Sequence, residues 1–408
     1  MTSYYVDATN GHDSDVGISS DAPWQTLAKV NGSSFSPGDN ILFKMDETWT
    51  SPGTQGSPAL WIDDSGEEGN PITFGAYGSG INNPTITNAG VYGSETEGIT
   101  VVADWIIIEN FIVGDCAAYG VAIGGDRNIV RDIEVANVGA GIGVWGQYNF
   151  VAANYIHDLK MIVNDKNGLG DWGAIGVCLY GSNNEISCNR MINCIADSHD
   201  FGVDGGAIEF YGICDNNYIH HNWAEGCDGF IEADGTSAQN CILSYNVSLN
   251  NGEFLGIHND RVVLGGFLAD NNTIVERTTS NNQLPSVLGF TLSPSPVDFL
   301  MRNNIFWIEE GTGDIKFAYI CNQSGLTHEY NTYHLIGDIA LGFALGVGEY
   351  EYMEHKMSVI TDLQQIEAEL NQQAQELIIR ANSIAQIIIE LQATDDLLDA
   401  AADAIEEN

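Results

Sequence analysis

GAIEFYG at residues 206–212 and GFIEADG at residues 229–235 write one phrase twice. Each runs glycine, a small or aromatic residue, isoleucine, glutamate, two residues, glycine, and so keeps a carboxylate, Glu209 and then Glu232, at one place in the phrase. Three neighbouring stretches align with the pair: GIGVWG (141–146), GVCLYG (176–181) and LGIHN (255–259). The apolar positions fall in two columns, Ile142, Val177, Ile208, Ile231, Leu255 and Val144, Leu179, Phe210, Ala233, Ile257. Side chains alternate along a strand, so the residues between these face the other way. They form an outer column of Gly143, Cys178, Glu209, Glu232 and Gly256, and a second of Trp145, Tyr180, Tyr211, Asp234 and His258. The phrase repeats because each copy is the same strand one rung further along a coil, about 4.8 Å away.

A second repeat agrees with the first. An asparagine ahead of an apolar residue recurs in IENFIV, AANYIH, SCNRMI, HHNWAE, SYNVSL, DNNTIV, RNNIFW and HEYNTY, as Asn110, Asn154, Asn189, Asn222, Asn246, Asn272, Asn304 and Asn331. Asp132, in RDIEV, stands midway between the first two. The steps are 22, 22, 35, 33, 24, 26, 32 and 27 residues. A short period with occasional longer steps is the signature of a parallel β-helix, in which each turn is one rung and length variation goes into loops. Asparagines stacked at one place in successive rungs hydrogen-bond along the stack. Asp132 fits least well, because Glu134 then takes an inner position.

These features resemble the right-handed parallel β-helix superfamily, which includes polysaccharide lyases, some glycoside hydrolases and the tailspikes of bacterial viruses. The opening YYVDATNGHDSDVGISSDAPWQTLAKVN, with FSPGDNILFKMDETW and NPITFGAYG, resembles the cap and first rungs of such proteins. The resemblance covers residues 4 to 335. The fold expected is all-β, with a cap and first strands over 1–64, the β-helix over 65–335 and a connector over 336–354. From Glu354 the composition changes. Leu363, Leu370, Leu377, Ile384, Leu391, Leu398 and Ile405 recur every seventh residue, with Ile366, Gln373, Arg380, Ile387, Thr394 and Ala401 three residues on. This heptad pattern predicts a C-terminal coiled-coil helix over 355–408, and the resemblance to virus fibres implies a homotrimer. An amphipathic helix packed on its own β-helix is the other reading.

Composition excludes some functions. Of 408 residues, 56 are acidic and 13 basic, a formal net charge of −43. Nucleic-acid binding needs clustered Lys and Arg, which this chain lacks. No stretch reaches the roughly 18 apolar residues of a membrane span. The N-terminus shows neither a basic region nor an apolar run, so no export signal is expected. Dispersed acid with little Lys suits a protein working in high salt, where self-repulsion is screened. None of the eight cysteines forms a CxxC pair, and their strand-like settings predict buried thiols.

The two longest steps, 35 and 33, are consecutive and place the extra residues in 160–173 and 195–206. Long loops beside a rigid scaffold are where sites form. One face is therefore expected to gather Asp165, Lys166, Asp171, Trp172, His199, Asp200 and Asp204 with Tyr180, Glu209, Tyr211, Glu232, Asp234 and His258. Trp145, Tyr180 and Tyr211 make an outward aromatic strip. Flat rings beside carboxylates suit a sugar chain, although outward aromatics also fill a sheet face under loops. With Trp172, His199 and His258 they are the candidate ligand-binding residues. Two ionised glutamates on neighbouring rungs repel, so either a cation lies between them or one keeps its proton. The first case is a Ca2+ or Mg2+ site from Asp200, Asp204, Glu209 and Glu232; the second makes a general acid, with Glu209, Glu232 and Asp234 as candidate catalytic residues. Two splayed, solvated carboxylates are the plain alternative, in which no cofactor is required. His220 and His221 straddle the inner ladder, so one of them is expected in the core.

What the resemblance implies about activity divides by family member. Its lyases use a Lys or Arg base with calcium held by Asp, and here only Lys160 and Lys166 lie near. Its hydrolases use carboxylate pairs or trios, which Glu209, Glu232 and Asp234 imitate. The main expectation is a trimeric virus spike or fibre of a salt-loving host. It is made in the host cytoplasm and carried on the virion surface. Its partners are other virion proteins and a host-surface glycan or glycoprotein, with glycan cleavage left open. The alternatives are an extracellular polysaccharide lyase or glycoside hydrolase, and a non-catalytic adhesive cell-surface protein.

Overall fold

In the computed structural model the chain divides into Met1–Met353 and Glu354–Asn408. The structure describes residues 1–51, 57–89, 96–167, 170–257, 262–277, 286–290, 298–309, 316–320, 325–337 and 339–354. Among the described residues the first unit is a parallel coil with three sheet faces, two of twelve strands and a third of ten successive parallel strands that Ile195–Ser198 joins antiparallel as an eleventh. The first face runs from Ser3–Val6 to Leu326–Glu329, the second from Thr48–Ser51 to Tyr350–Glu354, and the third from Leu60–Ile62 to Lys316–Ile320. One turn is Phe150–Ala152, Tyr155–His157 and then Ile175–Leu179, one strand on each face. The ladder thus takes in strands before residue 65 and after 335.

The register on the third face is the one the repeated phrase predicts. Gly143 pairs with Cys178, Cys178 with Glu209, Glu209 with Glu232 and Glu232 with Gly256. The inner column Ile142, Val177, Ile208, Ile231 and Leu255 is fully buried in the single long core. Phenylalanines stack there too, as Phe230 on Phe254 at 5.4 Å. Such stacking of like on like is what a rung repeat delivers.

From Ala153 onward, each described turn from the first face to the second is made by one residue with left-handed backbone, then a buried asparagine. Ala153, Cys188, His221, Tyr245, Asn271, Asn303 and Tyr330 have φ of 54° to 57°. The asparagines that follow, Asn154 to Asn331, form a continuous ladder. In it the backbone N–H and side-chain Nδ2 of one donate to the Oδ1 of the next, at 3.0 and 3.1 Å for Asn222 and Asn246. The ladder ends on the Glu349 carboxylate, 2.7 Å from Asn331 Nδ2. Asn110 and Asp132 are not members. They are left-handed corner residues at φ 59° and 53°, and the rung position after them belongs to Phe111 and Ile133. Ile133 lends only its N–H to Asn154, at 3.2 Å.

Three further expectations change. The only helix among the described residues is the five-residue Leu27–Asn31. Among the described residues the fold is therefore corrected to an all-β parallel solenoid without a coiled coil; the heptad positions of 355–408 lie outside them. Neither histidine of YIHHNW is in the core: Ile219 points inward, His220 outward, and His221 is an exposed corner residue. Six of the described cysteines are buried and free as expected, but Cys188, another corner residue, is exposed.

Candidate active site

The outer side of the third face carries a stack of rings. Trp145 and Tyr180 are parallel with centroids 4.5 Å apart, and Tyr180 and Tyr211 follow at 5.3 Å. The stack exists because the three residues occupy one position on consecutive rungs. Gly143 makes room for it, since a Cβ there would meet the Trp145 ring at 2.6 Å and Tyr119 at 2.8 Å. Trp172 packs edge-on to Tyr211 at 6.5 Å. Tyr119 joins from one rung earlier, its hydroxyl 2.8 Å from that of Tyr180.

The two inserted segments fold as small antiparallel hairpins rather than open loops. Met161–Val163 pairs with Trp172–Gly173, and Ile195–Ser198 pairs with the start of Gly202–Phe210. Asp171 ties them together. It is buried and accepts the N–H groups of Asp165 and His199, each at 2.8 Å, and the Ser198 hydroxyl at 3.3 Å. Asp200 is equally committed, to the N–H groups of Gly170 and Asp171 at 2.7 and 3.1 Å and to Ser198 at 2.8 Å. These two aspartates build the wall of the site.

Glu209 lies at the foot of this wall and is only 6% exposed. Burial, and then the charge of Glu232 on the next rung, push its carboxyl well above the usual carboxylate range; a hydrogen bond with Tyr211 works the other way. Burial also raises Asp204 to about 7, against the Gly205 N–H that donates to it at 2.8 Å and with help from the charges of Asp200 and Asp171. Glu232, on the neighbouring strand, and Asp234, just past its end, are half-buried. The face therefore places a dry carboxyl next to a wetter one at the end of an aromatic strip.

The expected residues divide accordingly. Trp145, Tyr180, Tyr211, Trp172, Glu209, Glu232 and Asp234 come together on or beside one strip. His199 is exposed on its hairpin, and its N–H serves Asp171 and Asn164. His258 lies outside the described residues. Of the four expected metal ligands, Asp200 is used within the hairpins. Among the described residues no three His, Cys, Asp or Glu side chains gather as a metal-holding group. Lys166 is exposed, and Lys160 lies within Coulombic reach of buried Cys116. Tyr119 was not foreseen. Gly120, Gly141 and Gly176 fall between paired residues, and a Cβ at Gly120 would meet Val135 Cγ1 at 2.4 Å. The alternation slips by one there, turning Tyr119, Ala140 and Ile175 outward into a small second cluster with Cys178.

No family model matches the chain. In sequence it is 37% identical over 100 residues to a lacto-N-biosidase of Bifidobacterium longum subsp. longum, a match covering 24% of this chain and 6% of that protein. In structure it is similar to the GH136 lacto-N-biosidase of Eubacterium ramulus, with a TM-score of 0.59 and 14% identity over 87% of this chain and 68% of that one. The chain thus matches a small part of the length of its curated relative. These findings favour the extracellular carbohydrate-active alternative over the virus spike on a virion surface. The likeness in sequence is to a glycosidase. The chain is similar to carbohydrate-active enzymes built on a parallel β-coil.

Proposed function

We propose that the chain carries a glycan-cleaving active site of the glycoside hydrolase kind, working outside the cell on a neutral glycan. The observation that supports it best is Glu209, buried at the end of an aromatic strip and register-paired with Glu232. A buried carboxyl that keeps its proton is a general acid at neutral pH. In the proposed reaction Glu209 gives its proton to the glycosidic oxygen as that bond breaks. The Glu232 carboxylate attacks the anomeric carbon, and water then releases the sugar with Glu209 taking the proton back. Neighbouring rungs set the two residues about 4.8 Å apart. Retaining chemistry uses carboxyls about 5–5.5 Å apart and inverting chemistry about 6.5–9.5 Å, so the stacking of the two glutamates on adjacent strands favours the retaining route. The outer edges of Trp145, Tyr180 and Tyr211, whose faces stack on one another, line the sugar's path, and Asp234 accepts from a hydroxyl.

A lyase reading is weaker on this geometry. Proton abstraction beside a uronate carboxylate needs that carboxylate neutralised, and this strip is lined by Glu209, Glu232, Asp234 and Asp204. Glu209→Gln and Glu232→Gln test the proposal against a panel of neutral aryl glycosides and oligosaccharides. Each variant should lose about 10²–10⁴-fold in kcat while melting at or above the wild-type temperature. NMR of the fresh product should show retained anomeric configuration. Cleavage at the wild-type rate by both variants defeats it.

A further inference from the structure

On the first face, one face round from the aromatic strip, His220 and His221 form a second arrangement that the proposed reaction does not use. Their Nδ1 atoms are 2.8 Å apart and their rings cross at 85°. Each ring is held from behind. Tyr218 stacks on His220 with centroids 3.9 Å apart, and Tyr245 stacks on His221 at 5.2 Å. The Nε2 of His220 is 3.0 Å from Glu185 Oε1. A carboxylate can only accept, so His220 carries its proton on Nε2 and presents a bare Nδ1 toward His221. A carboxylate behind a histidine fixes its tautomer and raises its basicity, as in the outer shell of metal sites.

We propose that these two imidazoles are a chelate for a tetragonal divalent transition-metal ion, with Cu2+ the best fit. The shared proton between the rings gives way to the metal, leaving to solvent as His221 Nδ1 becomes a ligand. The separation selects the geometry. With bonds of about 2.0–2.1 Å, two nitrogens at a right angle stand about 2.9 Å apart, whereas a tetrahedral site spreads them to about 3.3 Å. The observed 2.8 Å matches the right angle, which is the preference of Cu2+ and Ni2+; imidazole donors and the affinity order favour Cu2+. The rings need to turn, not to approach. Among the described residues no third His, Cys, Asp or Glu joins them, so the remaining positions go to water. A net charge of −43 concentrates cations around the molecule.

The test is a Cu2+ titration of the full chain by calorimetry in excess Mg2+, which occupies oxygen-only sites. Electron paramagnetic resonance at one equivalent accompanies it. One ion should bind per chain, with splitting from two equatorial nitrogens. His221→Asn should lower affinity at least tenfold without unfolding, because Asn accepts the left-handed backbone of that corner, φ 56°. Glu185→Gln should weaken binding about 10-fold or more while keeping both nitrogens. Cys188→Ser should leave affinity unchanged. Binding that survives His221→Asn, a spectrum lacking two nitrogens, or loss of the ion in Cys188→Ser overturns the assignment.

Discussion

At the scale of single residues, Glu209 and Asp204 show how a rung position sets chemistry. Both carboxyls hold a proton to higher pH in the folded chain than in the unfolded one, chiefly through burial, and buried Glu276 does the same, rising to about 8. For such groups the folded state binds more protons than the unfolded state between the two pKa values. Their contribution to stability is therefore complete below about pH 4 and is lost as pH rises through about 7 for Asp204 and 8 for Glu276. The melting temperature should fall between pH 5 and pH 8 at constant high salt. Asp204→Asn keeps the acceptor for Gly205 and removes the charge, so it should outmelt the wild type at pH 8 and match it at pH 4. A flat profile, or a variant that melts lower at pH 8, contradicts the assignment. The outward place of Glu209 was legible from alternation with Ile208 and Phe210. Its dryness was not, because that depends on how 161–173 and 195–206 fold back as hairpins held by Asp171. Tyr119 escaped for another reason: two-residue alternation assumes an unbroken strand, and the row Gly120, Gly141, Gly176 breaks it.

At the scale of elements, the coil is held by corner ladders as much as by strands. Asn222 donates from Nδ2 to Ile186 O at 2.8 Å and to Asn246 Oδ1 at 3.1 Å, and its own Oδ1 accepts both nitrogens of Asn189 at 3.0 Å. Asn222→Ala leaves the Ile186 carbonyl and the Asn189 N–H buried without those partners. With each such group costing about 1–3 kcal/mol, a loss of roughly 3 kcal/mol is expected in urea unfolding. Asn193→Ala, at an exposed corner, should cost a fraction of that. Equal effects at the two positions would show that the ladder does not bear stability. The ladder was readable because each asparagine precedes an inward apolar residue at a rung interval. A second ladder escaped notice: Asn128, Asn149, Asn184 and Asn217 bond at 2.8 to 2.9 Å where the third face turns into the first. Two of its members sit in the pairs Asn183–Asn184 and Asn216–Asn217, where the left-handed corner residue and the buried ladder residue are the same amino acid. Identity alone does not say which of the two is inside. The heptad run beyond Glu354 lies outside the described residues, and its period specifies a face that a helix would present without specifying what that face meets.

At the scale of the whole molecule, charge decides the remaining behaviour. Lys44 is bound to Asp7 at 2.6 Å, Arg131 to Glu109 at 2.6 Å and Arg302 to Asp270 at 3.3 Å. These pairs spend scarce cations on local geometry, and the acids that outnumber them repel across the surface of a single coil. Such repulsion acts over the Debye length, about 10 Å at 0.1 M salt and 3 Å at 1 M. That range spans neighbouring rungs at low salt and falls short of one rung spacing, about 4.8 Å, at high salt. The melting temperature should therefore climb steeply with NaCl. The shape of the climb separates causes. Screening saturates once the Debye length falls below the spacing of surface charges, so most of the gain should come below about 0.5 M. Strengthened apolar burial instead grows with added salt and is larger for sulfate than for chloride. Melts in NaCl and Na2SO4 at matched ionic strength from 0.05 to about 2 M distinguish them. Coincident curves that bend over early assign the salt requirement to the charge of −43. A flat response below about 0.5 M would mean that the acids are already spaced and solvated well enough to leave the fold indifferent to them.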